Sequence, residues 1–295
     1  MFKDIAKFKN DCSYDESMAK HTSWGIGGYA DLFYSPKSRE GLVSFLSTID
    51  AHVPITWIGK GTNILVRDAG IRGVVISTKS FLKGIEKISE YLYRVEAGVT
   101  SLELALFCQK NGIGPAAFFS GIPGSIGGAL TMNAGSFGME TWDLVKEVEV
   151  INSKGNISFI EKESFGIAYR TVTLPFRLWF LSCSMFLSSD EKTTKDNLIE
   201  LRNQRIKTQP LSEDTCGSVF KNPPGNFAGA LIEESGLKGF KIGSASISEQ
   251  HANFIVNEGG ATARDIEDLI QHARQVVKKN YDIDLQPEVR IIGEA

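Results

Sequence analysis

Cysteine is scarce: the 295-residue chain has only Cys12, Cys108, Cys183 and Cys216. They form no C-x-x-C pair and have no histidine partner nearby, which argues against zinc and against a disulfide framework. They read as reduced, mostly buried thiols, and no metal site is expected. No run approaches the ~20 apolar residues that span a bilayer, so no membrane span is expected. Residues 1–17 alternate Lys and Asp with apolar side chains and lack the apolar stretch of a secretory signal. An excess of one charge is missing too: 32 Lys and Arg face 35 Asp and Glu, a net charge of -3, with no basic block. That excludes general attraction to nucleic acid or anionic lipid and makes any phosphate site a local one. A cytoplasmic location follows as the expectation, the oligomeric state stays open, and no internal repeat or low-complexity tract is found.

Ordinary globular material is present, at 42% apolar and 23% charged residues, so the chain should fold. Its length exceeds what one hydrophobic core usually fills, which predicts two lobes. Ser38 is placed to cap a helix carrying Leu42, Phe45, Leu46 and Ile49, followed by a short strand over residues 55–58. Residues 73–78 and 92–99 read as strands. A helix starting at Thr100 or Ser101 is expected to bury Leu102, Ala105 and Leu106 and to stop at Asn111-Gly112. Residues 147–152 and 156–160 flank Ser153-Lys154-Gly155 as a hairpin, and residues 176–187 read as a long strand. The polar stretch 188–196 leads into a helix with Leu198, Leu201 and Ile206, which places a domain boundary near residue 190. Thr262 and Asp265 can cap a helix over residues 263–279, with Ile266, Leu269, Ile270, Ala273 and Val277 as its core stripe.

Glycine is where the chemistry begins, with 29 residues. Backbone amides reach a phosphate only where side chains do not obstruct them. Gly59-Lys60-Gly61-Thr62-Asn63 follows a predicted strand and offers N–H groups, a hydroxyl and a cation within five residues. Alone it reads equally as a strand-ending turn. Residues 112–138 form a second glycine-dense stretch, without periodicity for a regular element, and read as backbone shaped for a ligand. Two formal motifs fail on context. The first turn lacks P-loop spacing, and Gly25-Ile26-Gly27-Gly28-Tyr29-Ala30 runs into the strand-like Asp31-Leu32-Phe33-Tyr34 rather than the helix a Rossmann fingerprint must open.

Six segments in collinear order resemble one family: His21 to Trp24 with Ile26 to Gly28; Gly59 to Val66; Gly121 to Ala129 with Met132 to Gly135; Tyr169-Arg170; Gly217 to Pro223; and Pro287 to Gly293. The family is the UDP-N-acetylenolpyruvoylglucosamine reductases, in the vanillyl-alcohol-oxidase-like group of FAD-binding folds. The resemblance implies an α+β chain with a two-lobed FAD-binding domain over residues 1–190. A smaller α+β substrate-binding domain follows over residues 191–295, and its C-terminal strand is free to return to the first domain. It implies non-covalent FAD held by Gly59, Lys60, Gly61, Thr62, Asn63, Gly121, Ile122, Pro123, Gly124, Ser125, Gly127, Gly128, Asn133, Ala134 and Gly135.

In that family NADPH supplies hydride that FAD relays to the terminal methylene carbon of UDP-N-acetylglucosamine enolpyruvate, giving UDP-N-acetylmuramate for peptidoglycan synthesis. The resemblance makes Arg170 the partner of the substrate carboxylate and its enolate, because a guanidinium presents paired donors to two oxygens. Ser218 becomes the proton donor to the adjacent carbon, and Glu288 a catalytic carboxylate of open role. Tyr169, Asn222, Lys238, His251 and Lys207 are implied as substrate-binding. From the residues alone, Ser218 reads as a turn serine, Arg170 as a structural arginine and Glu288 as a strand-edge carboxylate. His251 reads equally as a hydrogen-bonded histidine leading into a strand over residues 253–256, and Phe118 and Phe119 read as core rather than flavin-stacking.

Gly25 stands where many members have arginine, Tyr29 where many have proline, and Val172 where a serine is usual. The spacing between Arg170 and Ser218 fits the shorter family form, without the inserted loop whose tyrosine clamps substrate, so no tyrosine is assigned as a clamp. Two rivals remain: a flavin oxidase of the same fold, and a flavin-free protein that binds nucleotide sugars.

Overall fold

The computed structural model describes residues 5–295; residues 1–4, the start of the charged N-terminal segment, lie outside the described residues. The chain divides into two compact units. One comprises the chain up to Tyr14, Leu32–Lys60 and Gly73–Gln204; the other comprises Asp15–Asp31, Gly61–Arg72 and Arg205–Ala295.

Two sheets make up most of the first unit, and three strands of the first sheet run past the unit's boundaries. A four-stranded sheet runs in the order Cys12–Ser17, Tyr29–Tyr34, Ile71–Ser77, Ile55–Ile58, with the last two strands parallel and Ile55 opposite Val74. Helix α1 (Arg39–Thr48) starts at Ser38, whose hydroxyl accepts from the Gly41 amide, and buries Leu42, Phe45 and Leu46. These side chains join Leu32, Tyr34, Val74 and Ile76 in one core cluster. The five-stranded antiparallel sheet runs Ile157–Glu161, Val145–Ile151, Trp179–Phe186, Leu92–Glu96, Ile85–Lys87. Its hairpin falls where the sequence reading put it, with Ile151 opposite Ile157. A second core cluster gathers Val95, Val148, Val150, Phe180 and Cys183 from this sheet with helix residues Leu104, Ala105, Cys108, Ile126, Ala129 and Leu130.

Three expectations are corrected here. Helix α2 (Ser101–Asn111) begins at Thr100 with a full capping box to Glu103, yet its buried face is Ser101, Leu104, Ala105 and Cys108. Leu102 and Leu106 lie outside, 51% and 47% exposed. The helix has leucines on both sides, and a 3.6-residue period cannot choose between them without knowing where the sheet lies. The glycine-dense stretch is more regular than expected. It contains a 3-10 turn over Ala117–Gly121 and helix α3 (Ile126–Met132), whose Ile126, Ala129 and Leu130 are buried at i, i+3, i+4 spacing. The strand expected from residue 176 starts at Trp179; residues 175–177 form a bend instead, and Phe176 is exposed. Helix α4 (Lys195–Thr208) forms as expected but fully buries none of its residues.

In the second unit, strands Lys241–Ile242, Ala245–Ile247 and Ile255–Asn257 make an antiparallel sheet. Helix α5 (Ala228–Glu234) and helix α6 (Ala263–Tyr281) share a core cluster with Ala245, Ile247 and Ile255 of that sheet. Helix α6 is capped by Thr262 and Asp265 and buries the stripe read from the sequence. The C-terminal strand Arg290–Ile292 pairs in parallel with Ile64–Val66, inside the same unit. Trp24 is fully buried here and donates from its indole nitrogen to the Ile255 carbonyl at 2.8 Å. The segment after Gly28 is the strand Tyr29–Tyr34, as required if the G-x-G-x-x-A letters are not a Rossmann turn. Among the described residues no helix is long and apolar enough to cross a membrane. Cys108, Cys183 and Cys216 are buried free thiols and Cys12 is partly buried.

Candidate functional site

Within the first unit the fold brings the two glycine segments together. Ser125, Ile126 and Gly127 are pinned beside the end of the Leu92–Glu96 strand by Ile126 N–H to Val99 O and Gly127 N–H to Ala97 O, each 2.8 Å. This places Ser125 against Gly59: a Cβ built on Gly59 would lie 2.5 Å from the Ser125 hydroxyl oxygen. Ser125 is 3% exposed, stands at the N-cap of α3 without capping it, and its Oγ has no hydrogen-bond partner. A buried hydroxyl left unmatched costs roughly 1–3 kcal/mol. Its place against Gly59 accounts for that glycine, since any side chain there would collide with the Ser125 hydroxyl. The remaining turn residues, Gly61, Thr62 and Asn63, belong to the second unit. Gly61 has φ +70°, and a Cβ there would meet the His21 carbonyl at 1.8 Å, so glycine is demanded by conformation and space together. Lys60 is exposed, as are Pro123 and Gly128, whereas Ile122 is buried. Phe118 and Phe119 are core, 3% and 0% exposed.

The first unit also joins the Met132–Gly135 motif to Tyr169-Arg170. Strands Gly166–Ala168 and Thr171–Thr173 form a hairpin with Ala168 opposite Thr171, so Tyr169 and Arg170 are its two turn residues. Val172 pairs with Ile167 and packs on the core. Arg170 has φ 52°, a left-handed conformation that costs a non-glycine residue about 1–2 kcal/mol and persists only where surrounding bonds fix it. Those bonds are present. Its Nη2 donates to Gly135 O at 2.6 Å, its Nη1 to Asn133 O at 3.3 Å and to Glu140 Oε1 at 3.3 Å. Its guanidinium carbon lies 4.9 Å from the Tyr169 ring centroid. Asn133, itself left-handed at the C-cap of α3, donates to Glu140 Oε2 at 2.7 Å and to Ala168 O at 3.2 Å, and accepts from the Trp142 amide. Ala134, next to it, is buried. Glu140 was not singled out from the sequence, and no periodicity links it to an arginine thirty residues later.

In the second unit Ser218 and Glu288 lie on adjoining segments. Glu288 N–H donates to Val219 O at 2.7 Å, Lys221 N–H donates to Gln286 O, and Val219 N–H donates to Asn253 O. Asn253 clamps Phe220 further, donating from Nδ2 to its carbonyl and accepting its amide. Asn63 donates to the Glu288 carbonyl at 3.1 Å and accepts from the Arg290 amide. Burial, and then the Glu288 carboxylate, push the Cys216 thiol well above the ordinary range, so Cys216 is no nucleophile.

Asn222, Lys238 and His251 gather around α5. Asn222 Oδ1 accepts from Ala228 N–H at 3.0 Å. Lys238 pairs with Glu233 at 2.7 Å, and a Cβ on Gly229 would touch the His251 ring at 3.0 Å. Lys207 is exposed on α4. His251 Nδ1 accepts from Asn253 N–H at 3.2 Å, and the ring packs on Phe254. The strand ahead of it is Ile255–Asn257 rather than residues 253–256. Burial first, and Lys238 also, hold the His251 imidazole below its usual pKa of 6.5. Folding therefore favours the neutral ring. The unfolded chain binds the extra proton as pH falls below 6.5, so stability drops through that window until the folded-state pKa is passed. His251→Gln is expected to flatten the fall in melting temperature between pH 7 and 5; an unchanged slope would show that the imidazole does not carry it.

A family profile described as FAD binding domain matches residues 30–160, and one described as UDP-N-acetylenolpyruvoylglucosamine reductase, C-terminal domain, matches residues 209–292. Curated proteins called UDP-N-acetylenolpyruvoylglucosamine reductase are similar over nearly the full length. That of Legionella pneumophila is 46% identical, covering 96% of this chain and 92% of its own. That of Alkalilimnicola ehrlichii is 44% identical, covering 95% and 94%. The crystal structure of UDP-N-acetylenolpyruvylglucosamine reductase from Thermus caldophilus superposes with a TM-score of 0.78 at 31% identity, covering 94% of this chain and 97% of that one. Identity of this extent across both units, with an FAD-binding region and a reductase C-terminal domain in the expected order, shows that the chain is an oxidoreductase belonging to the UDP-N-acetylenolpyruvoylglucosamine reductase family.

Proposed function

We propose that the chain reduces UDP-N-acetylglucosamine enolpyruvate to UDP-N-acetylmuramate, a step of peptidoglycan precursor synthesis in the cytoplasm, with NADPH as hydride donor. The observation that carries this reading is Arg170, held left-handed by the carbonyls of Asn133 and Gly135 and by Glu140. A chain that keeps a strained arginine so closely tethered has a use for its position. FAD, held non-covalently, supplies the hydride relay between nicotinamide and substrate.

The chain's own residues do the rest. The Gly59–Asn63 and Gly121–Gly128 segments, with Ser125 and the Asn133–Gly135 turn, hold the cofactor. Arg170 binds the enolpyruvyl carboxylate and stabilises the negative charge that grows there once hydride reaches the methylene carbon. Ser218 gives its hydroxyl proton to the adjacent carbon, and solvent restores that proton. Glu288 orients the reacting group from the segment beside Val219, and Tyr169, Asn222, Lys238, His251 and Lys207 bind the rest of the substrate. In this reading residues 1–190 form the FAD-binding domain and residues 191–295 the substrate-binding domain.

Anaerobic flavin absorbance tests the reading directly. The holoprotein is reduced with NADPH and mixed with the enolpyruvyl nucleotide sugar, and prompt reoxidation is expected. A flavin that stays reduced with substrate but reoxidises rapidly in air would replace the reading with an oxidase. A colourless protein that binds the nucleotide sugar would replace it with a binding protein.

A further inference from the structure

Arg170 does not hold its own position. Among the described residues, Glu140 bonds to it and to the residue that anchors it. One carboxylate oxygen accepts from Arg170 Nη1 at 3.3 Å and the other from Asn133 Nδ2 at 2.7 Å, while the Asn133 carbonyl accepts from that same Nη1. The three residues thus close a ring: carboxylate to guanidinium, guanidinium to carbonyl, and the carboxamide of the same asparagine back to the carboxylate. Glu140 is fixed from behind, its amide donating to Asp143 Oδ2 at 2.8 Å. The ion pair is not a surface contact, for the Arg170 side chain is 15% exposed and that of Glu140 29%.

We propose that Glu140 is a positioning residue for Arg170, setting the guanidinium plane in which the enolpyruvyl carboxylate is held. The proposal rests on the role given to Arg170 above. A glutamine at this position has the same shape but only one acceptor oxygen. Whichever way the amide is turned, an NH2 group faces either the Arg170 donor or the Asn133 donor, and one bond of the ring is lost. Removing the carboxylate also leaves Arg170 more positive. Binding of an anionic substrate should therefore hold or tighten while the geometry needed for reaction is lost, a combination that general loosening of the fold does not give.

The test uses flavin-loaded protein. Glu140→Gln is expected to lower kcat about 10- to 100-fold, the scale of a small misplacement of a catalytic group. KM for the enolpyruvyl substrate should be unchanged or lower, and flavin reduction by NADPH within two-fold of wild type. In an Arg170→Ala background the same change should alter substrate reduction by less than two-fold. An unchanged kcat, a raised KM, equal slowing of both half-reactions, or full slowing without Arg170 would each overturn the proposal. Nitrogen-15 spectra of the arginine guanidinium, assigned by Arg170→Lys, decide it independently of turnover. The Arg170 signal should shift and broaden in Glu140→Gln, and an unmoved signal overturns the positioning role. If the wild-type flavin is not reoxidised by the substrate, the reading of the reaction fails while the spectra still judge Glu140.

Discussion

Replacing Ser218 with alanine is expected to leave flavin reduction by NADPH intact and to slow reduction of the enolpyruvyl substrate ~10²- to 10⁴-fold, the range lost when a positioned proton donor is removed. The structure makes this variant clean. The main chain just after the hydroxyl is fixed by groups other than Ser218: Val219 is bonded through its N–H to Asn253 and through its carbonyl to Glu288, and Phe220 is clamped by both polar atoms of Asn253. Alanine removes one oxygen without releasing the segment. Stopped-flow absorbance resolves the two half-reactions. Equal loss in both would mean that the hydroxyl serves the cofactor or the fold rather than the proton, and no loss would mean that the proton comes from elsewhere.

Helix starts were legible wherever the signal is local. Ser38, Thr100 and Thr262 cap the helices expected of them, because a side-chain oxygen and the amide three residues on are enough to fix the turn. The apolar stripe of α6 was legible for the same kind of reason: one face is apolar and the other charged. The face of α2 was not, since Leu102 and Leu104 point to different sides of the helix and only the position of the sheet decides which is covered. Helix α3 was hidden by Gly127 and Gly128, poor helix formers that occupy turns pinned by the Leu92–Glu96 strand end. At the site, residue types carried by the collinear motifs could be named in advance, but the bonds among them could not. Glu140 reaches Arg170 and Asn133 across separations of 30 and 7 residues, and no local pattern announces either contact.

Trp142 separates what supports the site from what aligns it. It is 1% exposed, its indole donates to Leu130 O at 2.8 Å, and its ring lies 4.9 Å from Phe165 and 6.1 Å from Phe180. Trp142→Ala should destabilise the first unit by about 3–5 kcal/mol, the cost of emptying a large aromatic site, and it also strips Leu130 O of the indole donor. Trp142→Phe refills most of the volume and forfeits chiefly the hydrogen bond, for about 1–3 kcal/mol. Denaturant unfolding followed by tryptophan fluorescence, in a unit that holds Trp57, Trp142 and Trp179, measures both; a loss under about 1 kcal/mol for alanine would contradict the packing described. The contact from Trp142 to the Arg170 ring runs through its backbone amide, which donates to Asn133 Oδ1 and is kept in either variant. Trp142→Phe should therefore lose stability yet retain substrate reduction near the wild-type rate, whereas Glu140→Gln should slow substrate reduction. If Trp142→Phe instead slows substrate reduction as much as Glu140→Gln does, the alignment of Arg170 depends on the core beneath it rather than on one carboxylate.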